Sequence, residues 1–339
     1  MENPIPPFPP EPPAAGPEKP LQSGRPGLWG ALAGLFYLSC LALGLFVVIG
    51  KPRPKPETPP GEKGGLFAKL EMGKDSIGLI RVQGLISMTR EGFLPGSDPV
   101  ERMRRSLERY GKKKSVKAIL IKINSPGGTV ASSQELYRLI AEARARYQKP
   151  VIAFLGDVAA SGGYYAACAA DAIVADPGTL TGSIGVIFQT GQFDGLLKRF
   201  GVQFRTIKSG KFKDIGSSTR PMLPEEERIL QEMISQAYEQ FLEAVAKGRR
   251  MPSESVRPLA DGRVYIGEQA LRLGLVDSIG GFSEALERAK KLGGIEGEAK
   301  LLEEWDLKEE IFSELLKGAT FLQGRLSPPS GLLYLWSGY

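Results

Sequence analysis

The 22 residues from Leu28 to Ile49 carry no charged side chain. As a helix rising 1.5 Å per residue, the run extends about 33 Å, enough for the hydrocarbon core of a bilayer. A cleaved leader or a buried core helix would also be apolar. No small-x-small cleavage site follows the run, however; Gly50-Lys51-Pro52-Arg53 does. The reading is an uncleaved, single-pass anchor over residues 28–50. Before it, residues 1–27 form a Pro-rich tail, with 10 of the chain's 26 prolines in the first 26 residues. Such a tail favours extended polyproline and disorder over helix. Residues 51–70 read as a Pro/Gly/Lys-rich linker. Lys19 and Arg25 precede the span, whereas Lys51, Arg53 and Lys55 follow it. By charge alone the C-terminal side leans towards the cytoplasm.

From about Asp75 the pattern changes to strands alternating with helices. Ser76–Val82, Val116–Ile123, Val151–Leu155, Ala172–Ala175, Ile184–Phe188 and Val202–Ile207 read as strands. Val130–Arg146, Ser161–Ala169, Pro224–Lys247 and Ser283–Leu292 read as helices. That alternation predicts parallel βαβ units and an α/β fold. The main domain is expected over 71–295, followed by a C-terminal helix and apolar tail over 296–339. Leu332–Trp336 is apolar and resembles a substrate, so it is expected to pack on this chain or a neighbour, with self-docking or self-trimming as a hypothesis.

The chain has no histidine and only two cysteines, Cys40 and Cys168. Histidine-based triads, histidine metal sites, zinc knuckles and disulfide frameworks are excluded. A net charge of +6, spread over 44 basic and 38 acidic residues, is too dilute to indicate nucleic acid. A hydrolase built from this inventory must use carboxylates, lysine, serine or threonine.

Three segments carry candidate chemistry. In Asn124-Ser125-Pro126-Gly127-Gly128-Thr129 two glycines open a helix and bare backbone N–H groups, as an oxyanion hole needs; an ordinary strand-to-helix turn has the same look. In Gly156-Asp157-Val158-Ala159-Ala160-Ser161-Gly162-Gly163, Ser161 sits where a strand ends and a helix begins. It is either a nucleophile on a sharp elbow or a helix cap. In Lys208-Ser209-Gly210-Lys211-Phe212-Lys213-Asp214, a lysine could act as base only as the neutral amine, which requires burial in apolar surroundings. Lys213, next to Phe212, is the best placed. S-x-x-K, K-T-G, P-loop and G-x-G-x-x-G patterns are absent.

Together with Thr179-Leu180-Thr181-Gly182-Ser183-Ile184-Gly185, these blocks resemble the bacterial signal peptide peptidase A family over roughly residues 75–295. The resemblance implies a crotonase-like, Clp-protease-like ββα spiral preceded by one transmembrane helix. It implies a Ser/Lys dyad with Ser161 as nucleophile and Lys213 as general base. Ser183 would orient the lysine amine, and the N–H groups of Gly128 and Gly162 would form the oxyanion hole. It also implies a homo-oligomeric ring or dome with composite active sites, no cofactor, no metal and no nucleic-acid partner. The implied substrates are signal peptides and other apolar peptides, cut by a membrane enzyme whose catalytic domain lies outside the cytoplasm, against the charge count. A related membrane protease that cuts a partner membrane protein would share the same residues. Acyl-coenzyme A chemistry lacks a suitably placed acidic pair, and the presence of both Ser161 and Lys213 argues against a non-catalytic scaffold.

Overall fold

The computed structural model describes residues 75–88 and 98–303, together with the strand Leu333–Leu335. The Pro-rich tail, the expected anchor, the linker and most of 304–339 lie outside the described residues. Among the described residues, no helix is long and apolar enough to cross a membrane.

The elements run β1 (Ser76–Gln83), α1 (Pro99–Lys112), β2 (Val116–Ser125), β3 (Gly127–Thr129), α2 (Val130–Tyr147), β4 (Val151–Ala160), α3 (Gly162–Ala167), β5 (Ala172–Ala175) and β6 (Leu180–Gly182). They continue with α4 (Asp194–Arg199), α5 (Pro224–Arg249), α6 (Ser253–Val256), β7 (Val264–Ile266), α7 (Gly267–Arg272), β8 (Ser278–Ile279), α8 (Phe282–Leu292), β9 (Lys300–Glu303) and β10 (Leu333–Leu335). The α/β class expected from the alternation is what forms. An eight-stranded sheet follows the order β7-β6-β4-β2-β1-β9, with β5 and β8 branching from β4. All its pairings are parallel except β6 with β7.

The central strands are apolar on both faces because both faces are covered. Ile77, Leu79, Ala118, Leu120, Ile152 and Phe154 turn one way, against Ala285 and Ala289 of α8. Ile80, Val82, Ile119, Ile121, Ile123 and Leu155 belong to the larger core with residues of α1, α2, α3 and α5. Helix starts follow local chemistry. Asp98 accepts from Val100 N–H at 2.8 Å with Pro99 opening α1, and Thr129 caps α2.

β4 serves two stretches of sheet. Ile152–Leu155 pairs with β5, while Val158–Ala160 pairs with β6. The strand divided in this way runs directly into Ser161.

Two expected strands do not form. Ile184–Phe188 lies outside the sheet, and Leu180–Gly182 is the strand there instead. Gly182 and Ser183 take φ of +76° and +49°, which turns the chain off the sheet edge. Val202–Ile207 has an alternating apolar pattern but no strand partner among the described residues, and Phe204 and Ile207 are exposed.

The C-terminal end of α5 is tied to the sheet by Arg249. Its Nη2 donates to Asp277 Oδ1 at 2.7 Å and its Nη1 to Oδ2 at 2.9 Å, while Asp277 Oδ2 also accepts Ile173 N–H at 2.7 Å. Burial pushes the Asp277 carboxyl up, but the Arg249 guanidinium more than offsets this and holds it below its usual value. A depressed carboxyl contributes stability above its unfolded pKa that is lost as pH falls through the folded one. Asp277→Asn is therefore expected to cost about 1–2 kcal/mol at neutral pH and much less in acid. Thermal unfolding across pH checks this.

Candidate active site

Ser161 follows the last residue of β4 with φ +51° and ψ −116°, a backbone state that non-glycine residues avoid. The local bonds fix it there. Its N–H donates to Gly182 C=O at 2.8 Å, and its C=O accepts Tyr165 N–H at 2.8 Å. The side chain makes no capping bond to α3. Between the two readings left open by the sequence, helix capping is therefore the one the geometry rejects. The residue is almost wholly buried, at 1% exposure.

Ser183 is brought to the same place by register. Ala159 pairs with Thr181 and Ala160 with Gly182, so the next step along the two parallel strands sets Ser161 beside Ser183. Ser183 is held with φ +49°, its N–H donating to Arg263 C=O at 2.9 Å. Buried Thr181 secures the pairing through a 2.7 Å bond from Oγ1 to Ala159 C=O.

The two glycines also converge. A Cβ on Gly162 would lie 2.2 Å from Ser133 Oγ and 3.2 Å from Gly128 N, so a side chain is excluded and the Gly128 amide lies against Gly162. A Cβ on Gly128 would fall 1.8 Å from Ile86 C=O. That carbonyl accepts Thr129 N–H at 2.9 Å, and Ile86 N–H donates to Gly127 C=O at 2.8 Å. With those groups taken on one side of β3, the N–H and C=O of Gly128 point to the other. β10 runs antiparallel along that side, with Tyr334 opposite Gly128. The expected packing of the apolar C-terminal segment on its own chain is thus observed at the backbone of Leu333–Leu335.

Lys213 sits in the turn 210–216 with its backbone N–H on Gly210 C=O, and the residue is exposed, as is Phe212. Among the described residues, no hydrogen bond joins its amine to Ser161. Its lysine neighbours are engaged: Lys208 with Asp214 and Lys211 with Glu225. Among the described residues, none supplies the apolar cover expected beside Phe212.

Cys168 is no rival nucleophile. Burial pushes its thiol up to about 12, far from thiolate at neutral pH. The sequence reading missed Ser133, whose hydroxyl donates to Thr129 C=O at 2.9 Å and packs on Gly162. Its one sequence signal is its place four residues after the helix-capping Thr129.

Residues 143–296 match peptidase family S49. The chain is 39% identical to a Synechocystis sp. protein named "Putative protease slr0021" over 251 residues, covering 74% of this chain and 86% of that one. The chain belongs to peptidase family S49. It is a serine peptidase, so the one strained, uncapped serine found at the end of β4 has a matching chemistry. The S49 chain is also 39% identical to the chloroplastic serine protease SPPA of Arabidopsis thaliana over 229 residues, 66% of this chain but 33% of that protein. With Protease 4 of Haemophilus influenzae it shares 36% identity over 219 residues, 64% and 35% of the two lengths. Among solved structures, a 1510-N membrane-bound stomatin-specific protease mutant with a substrate peptide aligns at TM-score 0.46 and 16% identity. That alignment covers 71% of this chain and 98% of the other.

Gly162→Ala is expected to drive Ser133 aside and displace the amide; on the expectation that this amide holds the oxyanion, peptidase turnover falls about 10²–10³-fold, the loss seen when one such donor is removed. Adding Ser133→Ala removes the 2.2 Å contact and should restore part of that rate. Steady-state kinetics on the single and double variants checks both.

Proposed function

We propose that this S49 peptidase is a membrane-anchored serine endopeptidase that degrades cleaved signal peptides and other apolar peptides with a Ser161/Lys213 dyad. The observation that carries the proposal is the Ser161 elbow, with no capping role for its side chain, beside Ser183 and between the converging Gly128 and Gly162. In this reading Lys213 removes the Ser161 proton as Oγ attacks the peptide carbonyl. The N–H groups of Gly128 and Gly162 hold the oxyanion, and the proton passes to the departing amine. Water then attacks the acyl-enzyme with Lys213 again as base. Ser183 accepts or donates at the lysine amine and keeps it aimed at Ser161.

The exposed position of Lys213 supports a composite site. A neutral amine needs apolar cover, and the segment around this lysine exposes Phe193, Leu196, Phe200, Phe204 and Ile207, the last at 93%. α4 buries none of its residues. An apolar surface of this kind suits a neighbouring copy, which would cover the lysine and deliver it to the next protomer's serine. The expected anchor at 28–50 would hold the assembly at the membrane, with the catalytic domains outside the cytoplasm.

Substrate entry has a support in β10. An extended peptide laid antiparallel on the edge of β3 that Leu333–Leu335 occupies would present a carbonyl to the Gly128 N–H.

In the full-length, detergent-solubilised protein, Ser161→Ala and Lys213→Ala are each expected to abolish cleavage of an apolar fluorogenic peptide. Mixed assemblies of the two variants should regain activity, because some sites then receive an intact serine and an intact lysine. An active Lys213→Ala enzyme would remove Lys213 from the mechanism. Removing residues 327–339 is expected to lower KM several-fold with little change in kcat, since the segment lies where substrate would pair; an unchanged KM would separate β10 from the substrate path.

A further inference from the structure

Glu226 is the one charged residue among those described that is wholly buried, at 0% exposure. It lies in the first turn of α5, and its Oε2 accepts Leu223 N–H at 2.9 Å. Its countercharge is Arg220, whose Nη1 donates to Glu226 Oε2 at 2.8 Å. The other edge of the same guanidinium grips Asp214. Nε donates to Oδ2 at 2.9 Å, Nη2 to Oδ1 at 2.8 Å, and Nη2 again to the Asp214 backbone carbonyl at 3.1 Å. Lys208 completes the set. Its Nζ donates to Asp214 Oδ1 at 2.5 Å and to Lys211 C=O at 2.9 Å.

Lys213 therefore sits between two held backbone carbonyls, those of Lys211 and Asp214. The exposed apolar segment before this turn is held at its start by Phe193 N–H, which donates to Ser218 C=O at 2.8 Å. α5, in contrast, is fixed by Leu230, Phe241, Leu242 and Val245 in the core.

We infer that Arg220 is a positioning residue for the reaction, clamping the turn that carries Lys213 to the first turn of α5 through Asp214 and Glu226. The inference rests on the reading of Lys213 as base. A guanidinium suits the task because its planar fork reaches two carboxylates and a carbonyl at once; a lysine ammonium, a point donor on a flexible stem, does not. The Arg220 guanidinium, helped by Leu223 N–H, brings the Glu226 carboxyl down to about 2, so the clamp is charged throughout the neutral range. Fixing a base to within a fraction of an ångström matters for rate rather than for substrate affinity.

The test uses the full-length protein with Arg220→Ala, Arg220→Lys, Asp214→Asn and Lys213→Ala, assayed for kcat and KM on an apolar fluorogenic peptide beside thermal unfolding and native mass. Arg220→Ala and Asp214→Asn are expected to lose about 10²-fold in kcat with KM changed less than roughly twofold. Arg220→Lys should stay low. Methylguanidinium at millimolar concentration should restore part of the kcat of Arg220→Ala, and ammonium chloride of equal ionic strength should not. Asp214→Asn leaves the Arg220–Glu226 pair in place, so it reads the clamp even where Arg220→Ala unfolds. Full kcat in Asp214→Asn, with Arg220→Ala either fully active or lost only through unfolding, overturns the clamp. An inactive Lys213→Ala beside that result confines the failure to the clamp, whereas an active Lys213→Ala overturns the base assignment itself.

Discussion

β4 is shared between two stretches of sheet, and the geometry of the site descends from that sharing. Its first half pairs with β2 and β5 in the buried centre, and its second half pairs with β6. The strand must end where β6 ends, and the two residues that follow, Ser161 and Ser183, both adopt positive φ. Strain of this kind costs on the order of 1–3 kcal/mol per residue and persists only where surrounding bonds dictate it. Here those bonds are Ser161 N–H to Gly182 C=O and Ser183 N–H to Arg263 C=O, with Thr181 stitched to Ala159 below them. A rigid sheet thus delivers two hydroxyl-bearing residues side by side.

The glycines extend the same logic to the opposite wall. β3 approaches Ile86 so closely that Gly128 has no room for a Cβ, and Gly162 faces Ser133 under the same restriction. The close approach does more than exclude side chains. It uses up the groups of Gly127 and Thr129 on the Ile86 side, leaving the Gly128 N–H and C=O directed towards β10. One edge thereby offers a strand-pairing surface and, on the proposed mechanism, the amide that would hold the oxyanion.

Much of this was readable from residues alone, and the exceptions share a cause. β1, β2 and β4 announce themselves as apolar runs because both of their faces are covered by helices of the same chain. The glycine blocks show where the chain turns, and Ser161 stands at such a turn. What misled was Val202–Ile207, whose alternating apolar side chains would mark a strand in any chain that could cover them. In this chain Phe204 and Ile207 are left in solvent. The pattern is evidence of burial without saying by whom, and the apolar cover expected around Lys213 is likewise not found among the described residues of one chain. Asp214, Arg220 and Glu226 carry no periodic signal at all. Each charged residue taken alone reads as solvated surface, and only the fold shows one guanidinium forked between two carboxylates.

The lack of histidine gives these observations a common direction. A serine nucleophile without imidazole can be served by an amine that is neutral at working pH, and that neutrality has to be produced by surroundings rather than by the side chain's own chemistry. A lysine buried permanently within one chain would impose that desolvation cost on every folded protomer. On the proposed dyad, a lysine held in place by Arg220 yet left uncovered would defer that cost until a second surface arrives with enough apolar area to offset it. On this argument, the clamp and the exposed apolar segment would be complementary parts of one device. The clamp would fix where the amine stands, and the neighbouring surface would supply its apolar cover.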